Sequence, residues 1–295
     1  MLLYKEKILK KVKEHYVPQF YLNKFTDDNG LLHVYDLRQK KFYTQKPKNI
    51  CFKKNLYETE WQDANPKLGK HVLANSIENE FCKYEGEFAE LLKKIMNVCA
   101  SGQNSNALIL HGKERKVLFR FVVNLMVRNP LNMDSLALSE IPEEVNNSAE
   151  MSVFRDVMCK MGFGGADSIY LAAQKKIMLT DEIEGSFPQV CVEHLKKIGF
   201  MFFYAQNSEF ITSDIPVFLG EDSTIPCDDK TCLYLALSSK IAVLFGNYNV
   251  SQKFKNRMIK LKNEYVDFFN SQIVMNHNYI NILIGNSREL IEKYI

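Results

Sequence analysis

The stretch GFMFFYAQNSEFITSDIPVFLG, residues 199–220, decides the fold class of this 295-residue chain. Its aromatic and β-branched residues predict two extended runs around residues 206–208, which is the pattern of a β-hairpin. The sequence before this stretch predicts helices, and the sequence after it predicts further strands and one long helix. An order of strands, helices and strands indicates an α+β fold rather than alternating βαβ units.

The N-terminal part of the chain also predicts strands. The turn sequence DDNG at 27–30 precedes LLHVYDL, and FYTQ follows after a short polar connection. This pattern predicts a hairpin of residues 31–37 with 41–45. We expect the segment KNICFKKNLYETE, residues 48–60, to continue this first sheet.

From residue 75 onward, apolar residues recur every three or four positions, as on the buried face of a helix. A second helix is predicted at 113–128, strongly apolar through LFRFVVNLMV and ended by Pro130. After the strands CLYLALSS and KIAVLFGN, a helix is predicted at 251–276 and a last strand at 279–284. We predict a single domain, 1–295, with a basic β-rich head (1–60), a helical part (75–195) and an α+β part (198–295).

Charge is distributed unevenly along the chain. Residues 1–54 contain 13 Lys/Arg and 5 Asp/Glu, whereas the remainder contains 25 and 30. A basic head on an acidic body fits contact with nucleic acid or another phosphate-containing ligand. Lysines that keep exposed strands soluble and block edge pairing produce the same pattern, and this second interpretation stays open.

The seven cysteines are scattered, odd in number and free of CxxC spacing. This argues against a disulfide framework or a zinc knuckle and favours a reducing compartment. No apolar window is long enough to span a membrane, and charges in every turn of the first residues argue against a secretory signal. We therefore expect a cytoplasmic protein with no membrane partner.

Common catalytic motifs are absent, including GxGxxG, GxxxxGK[ST], HExxH and GxSxG, so any chemistry rests on dispersed residues. Thr212, Ser213 and Asp214 end a predicted strand just before Pro216, at a sheet rim where sites are often assembled. Asp214 suits a divalent cation or the orientation of a histidine. A simple Asx or ST turn explains the same three residues.

The segment EHYVPQFYLNKF, residues 14–25, places His15 next to Tyr16. Neighbouring side chains of an extended segment face opposite sides, so only one of the two can face a shared pocket. An inward His15 suits acid–base work or metal ligation. The alternative is a histidine whose hydrogen bonds are satisfied within the core.

Two helical groups are candidates to complete a site. Glu78 and Glu85 are two turns apart on one predicted helix face. Arg128 follows a very apolar helix and suits an anion clamp, although a partner for the helix dipole is the alternative. Asn270 is predicted within an apolar helix, where an amide needs hydrogen-bond partners.

These residues resemble, over most of the chain, the pattern of the microbial domain-of-unknown-function family 4238. The resemblance is carried by HYVPQFYLNKF with the following LLHVYDL, by FITSDIPV with LYLALSS, and by the helical positions above. One departure is Ala236-Leu237-Ser238, where the family tends towards Pro-Leu-Ser. The resemblance supplies no activity, but it implies that a set of residues belongs together: His15, Tyr16, Asp214, Glu85 and Arg128.

The leading hypothesis is a metal-dependent hydrolase acting on a phosphodiester or nucleic acid, with His15 as general base and Tyr16 and Asp214 beside it. Asp214 and Glu85 would hold Mg²⁺ or Mn²⁺. Substrate contacts would come from four residues, Arg128, Thr212, Ser213 and Asn270. Two alternatives stay open: a non-enzymatic anion- or nucleic-acid-binding sensor, and a structural lock in which His15 donates to Asp214.

Overall fold

A computed structural model describes residues 13–62, 69–100, 109–135, 138–162, 165–220, 232–246, 256–275 and 279–295. Strands lie towards both ends of the chain and helices lie between them, which confirms the predicted α+β class. The strands are β1 Lys13–His15, β2 Leu32–Asp36, β3 Lys41–Gln45, β4 Phe52–Lys54, β5 Gly199–Ala205, β6 Thr212–Ser213, β7 Val217–Leu219, β8 Cys232–Ala236, β9 Ile241–Gly246, β10 Met258–Leu261 and β11 Ile282–Gly285. The helices are α1 Gln19–Leu22, α2 Ser76–Ala100, α3 Lys113–Val127, α4 Pro130–Ser135, α5 Glu143–Asn146, α6 Ala149–Lys160, α7 Ala166–Leu179, α8 Phe187–Leu195, α9 Asn263–Met275 and α10 Arg288–Glu292.

The described strands form three sheets. One sheet has five strands in the order β10-β5-β9-β8-β7, and a second has four in the order β3-β2-β11-β6. The third is a two-stranded antiparallel ribbon of β1 and β4. The predicted hairpin of β2 and β3 is confirmed. The expectation that residues 48–60 continue its sheet is wrong, because β4 pairs with the N-terminal β1 instead.

The predicted second hairpin is also wrong. β5 pairs with β9 and β10, whereas β6 lies in the other sheet and pairs with β11. The connection between β5 and β6 is held by distant groups: the Phe210 N–H donates to the Ser239 carbonyl, and the Ile211 N–H to the Asn270 side chain. Two strands adjacent in sequence are therefore pulled into different sheets by long-range contacts.

The predicted helix at 251–276 is only partly correct. β10 occupies Met258–Leu261, where it pairs in parallel with β5, and α9 begins only at Asn263. Residues 251–255 lie outside the described residues. The strand predicted at 279–284 is present as β11, Ile282–Gly285.

The two long central helices form the middle of the core. Phe88 of α2 stacks on Phe121 of α3 with ring centroids 3.7 Å apart. On another side of α3, Phe119 meets Phe200 and Phe245 of the five-stranded sheet edge-on, at 5.4 and 5.7 Å. Helix α3 thus joins α2 to the sheet, which explains its nearly continuous apolar sequence. None of the described helices combines the length and apolar character that a bilayer span requires.

Candidate functional site

His15 ends β1, and both of its ring nitrogens are engaged. Nε2 lies 3.3 Å from the main-chain oxygen of Lys48, and Nδ1 lies 3.4 Å from the side-chain nitrogen of Gln19. Because a carbonyl oxygen can only accept, Nε2 carries the proton and Nδ1 accepts from Gln19. Burial lowers the pKa of His15 below its usual range, although the bond to Lys48 opposes the change. This neutral ring has no free nitrogen for a general base to use.

Asp214 is buried at 3% exposure, and the hydrogen bonds to its carboxylate come from one short segment, Asn281 and Ile282. Its carboxylate accepts from the Asn281 main-chain N–H at 2.9 Å, the Asn281 side-chain amide at 2.7 Å and the Ile282 N–H at 3.3 Å. Its own carbonyl accepts from the Asn129 side chain at 3.0 Å. Burial raises the pKa of Asp214, and the bonds from Asn281 and Ile282 act in the opposite direction.

The predicted contact between His15 and Asp214 is wrong, because the donors to that carboxylate are Asn281 and Ile282. Tyr16 is the residue of the opening motif that lies near Asp214, as expected if neighbouring side chains of an extended segment point apart. The Tyr16 hydroxyl bonds to the thiol of Cys51, and burial raises the pKa of both groups, with a further contribution from Asp214.

The two residues before Asp214 are buried and hydrogen-bonded within the fold. Thr212 Oγ1 lies 2.8 Å from the hydroxyl of Tyr21, which donates to the Ala236 carbonyl at 2.7 Å. Since the phenol has one proton, Thr212 is the donor to Tyr21. The Ser213 hydroxyl donates to the Ile215 carbonyl and accepts from the Ile215 N–H, which is the ST turn considered as an alternative.

Asn270 of α9 is fully buried and has three partners. Its oxygen accepts from the Ile211 N–H at 3.1 Å, and its nitrogen donates to the Glu209 carbonyl at 2.9 Å and the Tyr294 hydroxyl at 3.0 Å. These bonds fix the segment that leads into β6. Asn270 therefore stabilises the segment that precedes the Thr212–Asp214 turn. Its side-chain oxygen and nitrogen are both bonded to groups of the protein.

Arg128, at 0% exposure, lies at a second centre. Its guanidinium donates to Glu85 at 2.7 Å, to Asn124 at 2.9 Å and to Tyr57 at 3.3 Å, and makes a short bond to the main-chain oxygen of His15. Burial acts to lower the pKa of Arg128, but its contacts with Tyr57 and Glu85 outweigh this and raise it. Arg128 thus ties the N-terminal arm to α2 and α3.

The predicted residues therefore belong to two centres. Arg128 brings together Glu85 and the main chain of His15, whereas Tyr16, Thr212 and Ser213 surround or adjoin Asp214. The two predicted metal ligands, Asp214 and Glu85, are engaged separately, one by Asn281 and the other by Arg128. In the part of the chain that the structure describes, no three His, Cys, Asp or Glu side chains form a group that could hold a metal ion.

A group of buried and partly buried carboxyls lies around Arg128, and sequence reasoning found Glu78 and Glu85 but not Glu14 or Glu58. Glu14 is 1% exposed, and its charge interacts with those of Glu58 and Glu78. One carboxylate oxygen of Glu14 and one of Glu78 are buried without a hydrogen-bond partner. Burial raises the pKa of Glu78, which Arg128 opposes. No local sequence signal marks Glu14, because its acidic neighbours come from other segments.

The basic residues of the N-terminal part have an unusual environment. Residues 13–54 contain nine Lys/Arg, eight of them exposed. None of these nine forms an ion pair with any described carboxylate, whereas many later lysines and arginines do. We call residues 13–54 the basic module.

The outer face of the ribbon concentrates these charges. Lys13 of β1 lies directly opposite Lys54 of β4, and His15 lies opposite Phe52 on the same face. The Lys13 ammonium is 4.2 Å from the centroid of the Phe52 ring and 3.5 Å from the Asn49 side-chain oxygen, both uncharged partners. The face therefore presents two adjacent cations beside an aromatic ring.

A family model described as a protein of unknown function (DUF4238) matches residues 13–289, nearly the whole chain. The chain belongs to DUF4238. This confirms the resemblance drawn from the opening and FITSDIPV motifs. No curated protein and no solved structure matches. In this DUF4238 protein the two motifs meet at Tyr21 and Thr212, not at His15.

Proposed function

We propose that the protein binds a phosphate-containing polyanion, of which nucleic acid is the principal class, on the basic module. The observation that carries the proposal is the absence of carboxylate partners for the nine cations of the module among the described residues. Elsewhere lysines such as Lys93 and Lys160 pair with neighbouring glutamate or aspartate. Unpaired, clustered cations are the electrostatic footprint of polyanion binding.

The opposition of Lys13 and Lys54 supports this proposal. Like charges directly opposite in an antiparallel pair are destabilising. A phosphate group between the two ammoniums would remove the repulsion and release counterions. The acidic balance of the rest of the chain directs such a ligand to the module rather than to the whole surface.

The test compares two triple variants with the same net charge. Lys13, Lys48 and Lys54 changed to Gln should weaken binding of labelled single- and double-stranded DNA and RNA. The slope of log affinity against log salt should fall by about 2–3, because each lost phosphate contact removes about 0.7–0.9. The control, with Lys70, Lys93 and Lys160 changed to Gln, should keep both values. Equal losses of affinity in the two triple variants would show that binding depends only on the net charge of the protein, and would contradict a binding surface on the basic module.

Hydrolysis of the bound ligand is a second proposal, supported by Glu78. Its carboxyl has a buried oxygen without a partner, and burial raises its pKa, which favours the protonated form that a general acid needs. Two turns along α2, Glu85 is held by Arg128. Incubation of the bound nucleic acid with Mg²⁺ or Mn²⁺ should give cleavage that Glu78→Gln abolishes while affinity is kept. A wild-type protein that binds without cleaving is a binder alone.

The cytoplasmic location and the reducing compartment belong to the same proposal. None of the six described cysteines forms a disulfide with another described cysteine. Nucleic acids are abundant polyanions in that compartment, so the ligand class and the expected location agree.

A further inference from the structure

Glu14 lies in the basic ribbon, between Lys13 and His15 and opposite Lys53. Its side chain points to the inner face and is buried at 1% exposure, whereas Lys13 is exposed. One carboxylate oxygen accepts from the Tyr57 N–H at 2.9 Å, and the other has no hydrogen-bond partner. A strand of the proposed binding surface thus carries a buried, half-satisfied carboxyl group.

Each neighbouring element contributes a charged or titratable group around Glu14. The carboxyl interacts with the charges of Glu58 and Glu78, and Lys175 interacts with it in turn. Lys175, however, donates to the Glu58 carbonyl at 2.9 Å and not to Glu14. The other groups near this centre are Lys53 of β4, Tyr57, His71 beside Glu58, Glu85 of α2 and Arg128 after α3. The guanidinium of Arg128 donates to Glu85, Asn124, Tyr57 and the His15 carbonyl.

Glu58 and Glu78 add negative charge around Glu14, and Lys175 donates to a carbonyl rather than to the Glu14 carboxylate, so a proton is one means of neutralising it. Burial is the main cause that raises the pKa of Glu14, to about 7. Glu58 and Glu78 add to the rise, and the main-chain N–H groups of Tyr57 and Leu56 oppose it. Glu14 is then partly protonated under neutral conditions. Any negative charge brought to the ribbon favours the protonated form further.

We propose that Glu14 takes up a proton when the basic module binds its polyanion, so that binding tightens as the pH falls. This inference rests on the proposed function and adds regulation of the same site. Ionised Glu14 opposes an anion on the ribbon, and protonation removes that repulsion. The coupling is reciprocal: protonation of Glu14 raises the affinity for the ligand by a certain factor, and the bound ligand raises the proton affinity of Glu14 by the same factor.

Two histidines, His15 and His33, lie within the module, and their effects must be separated from that of Glu14. His15 donates to Lys48 and accepts from Gln19, and burial lowers its pKa, whereas burial raises that of Glu14. His33 pairs with Asp27 at 3.3 Å on the β2–β3 side of the module. A substitution at Glu14 leaves both histidines in place, so it isolates the carboxyl.

The experiment measures affinity for single-stranded DNA at constant ionic strength in wild type, Glu14→Gln and Glu90→Gln. Glutamine keeps an oxygen for the Tyr57 N–H and cannot ionise, whereas Glu90 is an exposed partner of Lys93. From about pH 8 to about pH 6, wild type and Glu90→Gln should bind about threefold more tightly. Glu14→Gln should bind with the same, tight affinity throughout. Calorimetry near neutral pH, in buffers of different ionisation enthalpy, should detect proton uptake in wild type and none in Glu14→Gln.

The outcomes separate the two proposals. Salt-dependent binding with the same pH dependence in wild type and Glu14→Gln would overturn the coupling and leave the proposed function standing. No binding by wild type at any pH would overturn both. If Glu14→Gln unfolds, calorimetric proton uptake by wild type decides the question, because a value of zero at neutral pH contradicts the coupling without any variant.

Discussion

The hydroxyl of Tyr21 lies 2.8 Å from the hydroxyl of Thr212 and donates to the carbonyl of Ala236 at 2.7 Å. Three segments that are far apart in sequence meet at this one phenol: the opening motif, the FITSDIPV motif and the LYLALSS strand. The position that departs from the family pattern, Ala236, contributes its main-chain oxygen, so the contact does not depend on its side chain. The hydroxyl of Tyr21 therefore joins the two sequence motifs by a hydrogen bond, and Tyr16 lies near Asp214.

Tyr21→Phe should therefore destabilise the protein. The substitution leaves the Ala236 carbonyl and the Thr212 hydroxyl buried without their partner, at a cost of about 1–3 kcal/mol. Urea unfolding followed by circular dichroism measures the loss. Tyr265→Phe is the matched control, because Tyr265 is 53% exposed and should change the unfolding free energy by less than about 0.5 kcal/mol. Equal effects of the two substitutions would contradict the assigned role of Tyr21.

Asp214 gives a second stability prediction. Asp214→Ala strands three N–H donors, two from Asn281 and one from Ile282, and should cost about 2–5 kcal/mol. Asp214→Asn keeps one acceptor oxygen and should cost less. Asp156→Ala, at an exposed carboxylate paired with Lys160, is the control and should be nearly neutral. A folded Asp214→Ala protein of wild-type stability would show that this carboxylate is retained for chemistry instead.

Arg128 should not tolerate lysine. Its guanidinium contacts Glu85, Asn124, Tyr57 and the His15 carbonyl and lies over the Phe81 ring at 4.6 Å, a geometry that an ammonium cannot reproduce. Arg128→Lys should lower the unfolding free energy by about 2–4 kcal/mol. It should also release the N-terminal arm, detected as faster amide exchange of β1. Arg288→Lys, at an exposed ion pair with Glu292, serves as control, and unchanged exchange in β1 would refute the tethering role.

Local patterns in the sequence predicted the elements that local contacts determine. The hairpin of β2 and β3 and helices α2 and α3 follow from turn residues and apolar periodicity, and all are present. The predicted β5–β6 hairpin and the predicted helix before Asn263 are absent because contacts with distant residues determine these segments. Asn270 and Ser239 bind the segment before β6, and β10 pairs with β5.

The site was harder to predict than the fold. Residue types indicated Arg128 as an anion clamp and Asp214 as a metal ligand or a partner for a histidine, and the structure shows both side chains to be buried. They did not identify the partners, because Asn281 and Tyr57 are separated from them by tens of residues and have no distinctive spacing. Glu14 was overlooked for the same reason: only the fold brings Glu58 and Glu78 to it.

The last prediction concerns stability against pH in the absence of ligand. The pKa of Glu14 is raised from 4.5 to about 7, so its contribution to stability is present at low pH and is lost as the pH rises through about 7. The pKa of His15 is lowered from 6.5, so its contribution is present above that value and is lost as the pH falls through the lowered pKa. Urea unfolding measures the free energy of unfolding from about pH 5 to about pH 8. As the pH rises over this range, the stability of Glu14→Gln relative to wild type should increase by about 1–3 kcal/mol. His15→Gln should instead differ from wild type in its pH dependence only on the acidic side. A constant difference in unfolding free energy between wild type and Glu14→Gln at every pH would contradict the assignment.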